Sequence, residues 1–428
     1  MSSFQKFLEE KFTPLAARMG ANKYLIAIRD GITIAMPLIL VGSFFMILAS
    51  LPIPGYEDWL GATGFGDILW KGTGSSFDLM GLVSAFGIAY SLTRENGKDG
   101  ISAGIISLSA FVTATPFLAS DAGNGIPTGY MGSGGLLVAL VIGLTTGVIF
   151  SWFIEKDYQI KMPEGVPPAV AKSFSALIPG FVIISLWLIV YALLEGSDIG
   201  NVHDVIGVVL GKPLGLLGNN IFGTIIAAGL NSLFWFGGIH GGNTVNAVMK
   251  PIWLANSGEN LAAFQAGENM PHIITQQFID YFVYMGGGGA TLGLVIVIAI
   301  MARRKNASSV TKAMAPITLL PGIFNINEPT MFGLPIVLNF ELIIPFILTP
   351  MVNAVIAYTA MAIGIVPLTT GVDVGWTMPP VLNGFLSTNN SIAAAILQVL
   401  LIILNMGIYY IFYSGIEKKN RELEASEA

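Results

Sequence analysis

The chain has 428 residues, of which 54% are hydrophobic and only 11% are charged, and its mean hydropathy is +0.72. Soluble domains carry about 25% charged residues, so this composition excludes a soluble globular protein and indicates an integral membrane protein. The net charge of −6 excludes little, because orientation in a membrane depends on where Lys and Arg lie.

The N-terminal segment, residues 1–27, carries several charged side chains and lacks a compact apolar core that ends in small residues. It therefore does not resemble a cleavable signal peptide, and we expect the N-terminus to be cytoplasmic. Within this segment, residues 4–19 place apolar side chains at helical spacing with basic residues on the opposite face. That pattern predicts an amphipathic helix at the membrane interface.

Long apolar runs follow along the rest of the chain, and the alternating pattern of a membrane barrel is absent. We therefore predict an all-α polytopic membrane protein, with both termini cytoplasmic. Alternation of sides places 17 of the 20 Lys and Arg residues in cytoplasmic loops, as the positive-inside rule requires. The predicted spans are 28–53, 77–92, 100–119, 133–153, 173–195, 218–238, 278–302, 337–364 and 390–413.

Two stretches of the second half, 241–277 and 313–336, do not fit simple spans. The alternation of sides works only if each is a re-entrant or broken element, which gives about ten transmembrane helices with two re-entrant hairpins. Non-helical backbone at membrane depth occurs only where it is buried in protein or lines a watery cavity. Two such elements predict a substrate chamber and a transport function. The glycine run 286–289 is interpreted as a hinge or as a site of close helix packing.

Four regions follow from this organisation. Residues 1–27 form the amphipathic segment, and residues 28–215 form an N-terminal transmembrane bundle. Residues 216–413 form the substrate-binding and transport region, and residues 414–428 form a cytoplasmic tail.

Glu328 is the most unusual ionisable residue of this sequence, because it lies between a basic loop and a long apolar segment. A charged side chain at membrane depth costs about 2.5 to 3.5 kcal/mol on insertion scales, so it is kept for a substrate, an ion or a buried partner. The structural alternative is an ion pair with Lys312 or Arg304.

The three histidines receive different interpretations. His240 lies in a glycine-rich turn five residues after Trp235, whose face could stack on a sugar ring. His240 is therefore a candidate functional residue, with a satisfied buried histidine as the alternative. His203 is predicted to be solvated in an outer loop, and His272 is predicted to be structural.

Two motifs carry a resemblance to a known family. The segment 325–337, which begins Asn-Ile-Asn-Glu-Pro, and the Gly-Ile-His-Gly turn at 238–241 resemble the membrane component IIC of the bacterial phosphoenolpyruvate-dependent sugar phosphotransferase system, in its lactose, cellobiose and chitobiose branch. The resemblance runs from Tyr24 to about Tyr413. Asn339–Glu341 departs from the Asn-Pro-Glu of the family, which indicates a branch difference.

This resemblance implies a homodimeric sugar permease of the bacterial cytoplasmic membrane. A β-linked disaccharide such as cellobiose, chitobiose or lactose is carried inward, and its 6-hydroxyl is phosphorylated by the phosphocysteine of a IIB protein that is itself supplied by IIA. The chain has no cysteine, so this covalent step needs another polypeptide and the chain is the membrane subunit of the phosphotransferase complex. No metal, cofactor or nucleic acid is expected.

The same resemblance assigns site residues. Glu328 is expected to orient the 6-hydroxyl and to accept its proton, and His240 is expected to contact the same hydroxyl. Asn327, Asn243 and Trp235 are weaker candidates for hydrogen bonding and stacking on the sugar.

Two other classes stay open from the residues. An ion-coupled secondary sugar transporter would use the same broken helices and a lone glutamate. A channel or structural membrane protein is disfavoured, because the sequence offers no ring or filter pattern.

Overall fold

The fold is described from a computed structural model. Part of the N-terminal segment is outside the described residues, including most of the predicted interfacial helix 4–19. The structure describes residues 14, 18, 21–49, 51, 53–120, 123–195, 197, 199–237, 240–334, 336, 339 and 341–427.

The first half of the described chain is helical apart from one short antiparallel hairpin, in which Leu118 of β1 pairs with Gly125 of β2. Asn22 caps the first helix by accepting hydrogen bonds from the amides of Tyr24 and Leu25. The elements are α1 (Lys23–Thr33), α2 (Met36–Ala49), α3 (Tyr56–Thr63), α4 (Phe65–Phe77), α5 (Met80–Glu95), α6 (Gly100–Ala114), β1 (Leu118–Ser120), β2 (Gly123–Gly125), α7 (Thr128–Met131), α8 (Leu136–Glu155), α9 (Pro168–Ser175) and α10 (Leu177–Glu195).

The second half of the described chain is also helical, but its helices are interrupted more often. The elements are α11 (Val202–Ile206), α12 (Lys212–Gly218), α13 (Ile221–Phe236), α14 (Gly241–Gln265), α15 (Leu292–Ala302), α16 (Ser309–Ile323), α17 (Glu328–Gly333), α18 (Ile343–Ala362), α19 (Leu382–Ser387) and α20 (Ile392–Glu427).

Six helical segments of the described chain are long and apolar enough to cross a membrane, and two bent pairs raise the number to eight if each pair is one span. The prediction of a polytopic helical membrane protein is confirmed, while the count of about ten helices stays a prediction. The six segments are Lys23–Ala49, Phe65–Glu95, Ser133–Glu155, Pro168–Glu195, Ile343–Ala362 and Ile392–Ser426.

The helices of the predicted N-terminal bundle, residues 28–215, pack closely through glycine. A Cβ atom built on Gly31 of α1 would lie 2.4 Å from the backbone nitrogen of Ile88 in α5. A Cβ on Gly143 of α8 would lie 2.7 Å from the Cβ of the same Ile88. Glycine therefore lets three helices approach to backbone contact, as small residues do in membrane proteins.

His203 belongs to this bundle, and the prediction that it is solvated is wrong. Its side chain is buried, and its ring stacks on Tyr130 with centroids 4.1 Å apart. Its Nε2 atom lies 3.0 Å from Oγ1 of Thr115. The acidic neighbour Asp204 forms the capping box of α11. The charged residues around His203 therefore do not indicate that its side chain is exposed.

The prediction of a broken element at 241–277 is wrong for most of that stretch. Helix α14 covers Gly241–Gln265 without interruption and contains Pro251. Only the segment after Gln265 leaves the helical conformation, and there His272 pairs with Glu259 at 2.5 Å. The structural role of His272 stays a prediction.

The stretch 313–336 does contain a break. Helix α16 ends at Ile323 and α17 begins at Glu328, with Asn325 between them in the left-handed region at φ 60°. Ser308 caps the start of α16 by accepting the amide of Thr311.

The predicted span 278–302 is bent at its glycine run. A π-helical turn at Phe278–Val283 leads into a short 3₁₀ turn at Gly288–Ala290, and the path then bends by 57° into α15. The glycine run is therefore both a bend and a close contact. Gly287 lies at φ +86°, and a Cβ on Gly289 would lie 2.1 Å from the Phe346 ring.

Candidate functional site

A cavity of about 460 Å³ lies where α1, α13 and α14 face the break at 324–327 and the glycine bend at 286–289. Its volume is within the usual range for small-molecule sites. The side chains on its walls are mostly polar or aromatic, which suits a hydrophilic ligand. Its lining includes Arg29, Asp30, Asn231, Trp235, His240, Asn243, Asn246, Lys250, Gln276, Asp280, Tyr284, Asn325, Asn327, Glu328, Asp373 and Trp376.

His240 is placed in the cavity by its role as the N-cap of α14. Its Nδ1 atom accepts a hydrogen bond from the backbone N–H of Asn243 at 3.1 Å. Because a backbone amide is always the donor, Nδ1 must carry a lone pair, and the proton of the neutral ring resides on Nε2. The ring also packs on Trp235, with centroids 4.2 Å apart. The sequence thus presents the cavity with an imidazole N–H donor of defined orientation.

Glu328 is placed by the break between α16 and α17, which is tied to the glycine bend. Asn325 accepts the amide of Gly286 through Oδ1 at 2.7 Å, and Asn327 donates through Nδ2 to the carbonyl of Gly288 at 3.0 Å. Glycine is required on the other side of this contact, because a Cβ on Gly288 would lie 2.6 Å from Nε1 of Trp235. The break at 324–327 and the glycine bend at 286–289 therefore stabilise each other through these hydrogen bonds.

The gap between His240 and Glu328 is the central distance of the site. Nε2 of His240 lies 4.0 Å from Oε1 of Glu328, too far for a direct hydrogen bond. The two side chains are 45% and 46% exposed, so both present polar atoms to the cavity. Within the described chain, no Lys or Arg nitrogen is paired with Glu328, and the suggested partner Lys312 bonds to the carbonyl of Lys305 instead.

All five predicted site residues line this one cavity: Glu328, His240, Asn327, Asn243 and Trp235. The contacts of these residues distinguish their roles. Asn327 uses its amide group to bond Gly288, and Asn243 gives its backbone amide to His240, so both also hold the site together. Trp235 is almost fully buried beneath the His240 ring.

The far wall of the cavity was not predicted. Gln276 donates to Asp280 at 2.9 Å, and Asp373 accepts from the hydroxyl of Tyr281 at 2.7 Å. Asn325 donates through Nδ2 to the carbonyl of Trp376 at 2.7 Å, which places that indole on the cavity wall. A single charged residue inside an apolar run, such as Asp280, is the sequence feature that could have predicted this wall of the cavity.

Two cations of the lining were also missed as site residues, Arg29 and Lys250. Positive-inside counting assigns Arg29 to a cytoplasmic loop, which hides its position in a helix that faces the cavity. No group of three or more His, Cys, Asp or Glu side chains within the described ranges could hold a metal ion.

Comparisons with known proteins identify the class. Residues 29–350 match the family described as phosphotransferase system, EIIC. The chain is 42% identical to the lichenan permease IIC component of Bacillus subtilis (strain 168), over 99% of this chain and 96% of that protein. It is also 42% identical to the cellobiose-specific EIIC component of Geobacillus stearothermophilus, over 100% of this chain and 97% of that protein.

A solved structure has the same fold throughout. The crystal structure of the transporter ChbC, the IIC component of the N,N'-diacetylchitobiose-specific phosphotransferase system, superposes with a TM-score of 0.92 at 39% identity. The match covers 99% of this chain and 100% of that one. The chain belongs to the EIIC family of the phosphotransferase system, and it is a sugar permease of that system rather than an ion-coupled carrier.

Proposed function

We propose that this EIIC permease translocates a β-linked disaccharide and presents its 6-hydroxyl, between His240 and Glu328, to the phosphocysteine of a IIB protein. The observation that carries the proposal is the 4.0 Å separation of a defined donor, Nε2–H of His240, and an acceptor, Oε1 of Glu328. The two atoms face the same cavity and do not bond to each other.

A hydroxyl group fits this separation. An oxygen at about 2.8 Å from each atom can accept a hydrogen bond from His240 and donate its own proton to Glu328. Phosphoryl transfer depends on positioning and on a residue that orients the nucleophile and can take its proton. Glu328 is suited to take the proton of the hydroxyl. The N–H of His240 positions the same hydroxyl by donating a hydrogen bond to one lone pair of its oxygen.

The remaining lining supports a disaccharide as the substrate. Trp376 offers an exposed aromatic face for a sugar ring, whereas Trp235 is covered by the His240 ring and supports that imidazole. Asp280 and Asp373 offer acceptors for hydroxyl donors. The EIIC relatives described above are named for lichenan, cellobiose and N,N'-diacetylchitobiose. Binding of cellobiose, lactose and diacetylchitobiose, measured side by side, tests which disaccharide fits.

The membrane placement that accompanies this function follows the predicted topology. We place the protein in the bacterial cytoplasmic membrane as a homodimer, with both termini cytoplasmic and with IIB and IIA as soluble partners. Of the two predicted re-entrant elements, 313–336 contains the break at 324–327, while 241–277 is a continuous helix to Gln265, so we propose the bend at 286–289 in its place. Their support is that both line the cavity, where irregular backbone at membrane depth is tolerated.

Energetics of uptake tests the function against the ion-coupled alternative. Sugar uptake by vesicles should require phosphoenolpyruvate and the soluble phosphocarriers, and the sugar inside should be phosphorylated. Accumulation of free sugar on an ion gradient would contradict the proposal. Purified protein should bind the disaccharide yet leave it unphosphorylated until a phosphorylated IIB protein is added, because the chain has no cysteine of its own. Phosphorylation with phosphoenolpyruvate alone would also contradict it.

A further inference from the structure

Arg29 is a cation of the cavity whose hydrogen-bonding capacity is mostly unused. It lies on α1, and its side chain is only 29% exposed. Its Nε donates to Oδ1 of the adjacent Asp30 at 2.6 Å. A guanidinium has five N–H donors, and within the described ranges the other four have no hydrogen-bond partner. Asp30 therefore offsets the charge of Arg29 but leaves the outer face of the guanidinium free.

Arg29 lines the same cavity as His240 and Glu328. The second cation of the cavity, Lys250, lies on α14 ten residues after His240, about 15 Å along the helix at the usual rise. Its Nζ contacts Sδ of Met36 at 3.7 Å. Of the two cations, only Arg29 carries a planar fork of donors.

A neutral disaccharide can use a guanidinium as a hydrogen-bond donor but gains little from its charge. The proposed reaction does bring an anion there, because the phosphoryl group must reach the hydroxyl held by His240 and Glu328. A planar guanidinium with several free donors matches the geometry of a phosphoryl group, and such charge-assisted bonds are stronger than neutral ones.

We propose that Arg29 binds the phosphoryl group during transfer and then the phosphate of the sugar 6-phosphate product. This inference rests on the proposed function. In the step, the O6–P bond forms and the S–P bond of the phosphocysteine breaks. The thiolate leaves on the IIB protein, and the proton of the hydroxyl passes to the Glu328 carboxylate. Arg29 exchanges no proton and stabilises the negative charge on the phosphoryl oxygens.

The test compares Arg29→Gln and Arg29→Lys with the control Arg94→Gln. Arg94 is a cytoplasmic-side arginine by the same topology, but it lies outside the cavity lining and contacts Tyr90. The probes are cellobiose, cellobiose 6′-phosphate and a phosphorylated IIB protein, with the full chain in detergent or vesicles. Cellobiose affinity also reports whether each variant is folded.

We expect Arg29→Gln to keep cellobiose affinity within about twofold while losing tenfold or more in affinity for cellobiose 6′-phosphate and in phosphorylation rate. Arg29→Lys should recover part of both, because an ammonium keeps the charge but not the bidentate geometry. Arg94→Gln should match the parent protein in all three measurements.

Three results would overturn the inference. Parent-like product affinity and rate in Arg29→Gln would show that Arg29 does not meet the phosphate. An equal loss of cellobiose and product binding would show that it only shapes the cavity. If the parent protein itself fails to phosphorylate any disaccharide with the phosphorylated IIB protein, the proposed function fails and this inference fails with it.

Discussion

The N-terminal bundle and the cavity region, residues 221–427, use the same residue types differently. In the bundle, Gly31 lies inside a continuous helix and serves packing, and His203 is buried against Tyr130. In the cavity region, Gly287 lies at φ +86° inside a bend, and His240 is nearly half exposed at a helix terminus. Residue type thus predicts little by itself. In this protein a histidine or glycine contributes to the cavity when it lies at a helix terminus or bend, and to packing when it lies inside the bundle.

The largest expected effect concerns the carboxylate of the cavity region. Glu328→Gln keeps the shape of the side chain but replaces an acceptor by a donor and removes the charge, so the 6-hydroxyl loses the group that takes its proton. We expect the variant to insert and fold like the parent protein, with a loss of about 100-fold or more in phosphorylation rate, measured with a phosphorylated IIB protein.

The control for this variant is Glu341→Gln, which removes an exposed carboxylate paired with Lys419 at 2.8 Å. It should leave the rate unchanged. A 6-deoxy disaccharide should also bind poorly to the parent protein. A parent-like rate in Glu328→Gln would make Glu328 a structural residue and would remove the distinction between the two regions.

The two histidines offer the most direct comparison of the regions. His240→Ala should weaken disaccharide binding by about 1 to 3 kcal/mol, the cost of leaving a buried polar partner unmade. His203→Ala should instead lower the apparent melting temperature and leave disaccharide affinity unchanged, because the imidazole ring stacks on Tyr130 and bonds Thr115 inside the bundle. Titration calorimetry and thermal melts distinguish the two outcomes.

His240→Asn separates the capping function from the sugar contact. Asparagine is a favourable N-cap, so α14 should keep its start, yet its shorter side chain cannot place an N–H where Nε2 of His240 faces Glu328. The variant should melt like the parent protein and bind the disaccharide as weakly as His240→Ala. Restored affinity would mean that His240 acts only as a cap.

Glycine packing in the bundle predicts an effect on stability alone. A Cβ on Gly31 would lie 2.4 Å from the Ile88 backbone, so Gly31→Ala should destabilise by about 1 to 3 kcal/mol through overpacking. Gly61 of α3 has no atom within 4 Å of a built Cβ and serves as the control. Gly61→Ala should be neutral or stabilising. Equal melting temperatures for the two variants would contradict the packing account.

The last comparison is at the break. Asn325→Asp keeps the acceptor for the Gly286 amide and tolerates the left-handed conformation, but at this buried position it replaces the donor to the Trp376 and Met378 carbonyls by an acceptor. We expect disaccharide affinity to fall by about 1 to 3 kcal/mol. Asn389→Asp, at φ 53° and outside the cavity lining, should bind like the parent protein.

Several features of this protein are determined by sequence alone. Low charge and long apolar runs define a helical membrane protein, since lipid offers no partner for free backbone groups. Glu328 and the glycine-flanked His240 indicate the site, because a polar or ionisable side chain in an apolar segment is costly in a membrane unless it has a ligand or a partner. The resemblance carried by these two motifs then names the family.

Other features are decided only by the tertiary structure. The sequence around 241–277 predicts a broken element, yet α14 is continuous from Gly241 to Gln265. The glycine run in the predicted span 278–302 leaves a hinge and close packing both open, and the fold bends the chain there by 57°. These outcomes depend on contacts between distant segments, such as Asn325 with Gly286 and Asp373 with the Ser43 hydroxyl. Local hydropathy cannot report them, because it measures the preference of a segment for lipid and not the partner that it meets. For the same reason, Arg29 looks like a topological charge in the sequence and is recognisable as a cavity residue only in the fold.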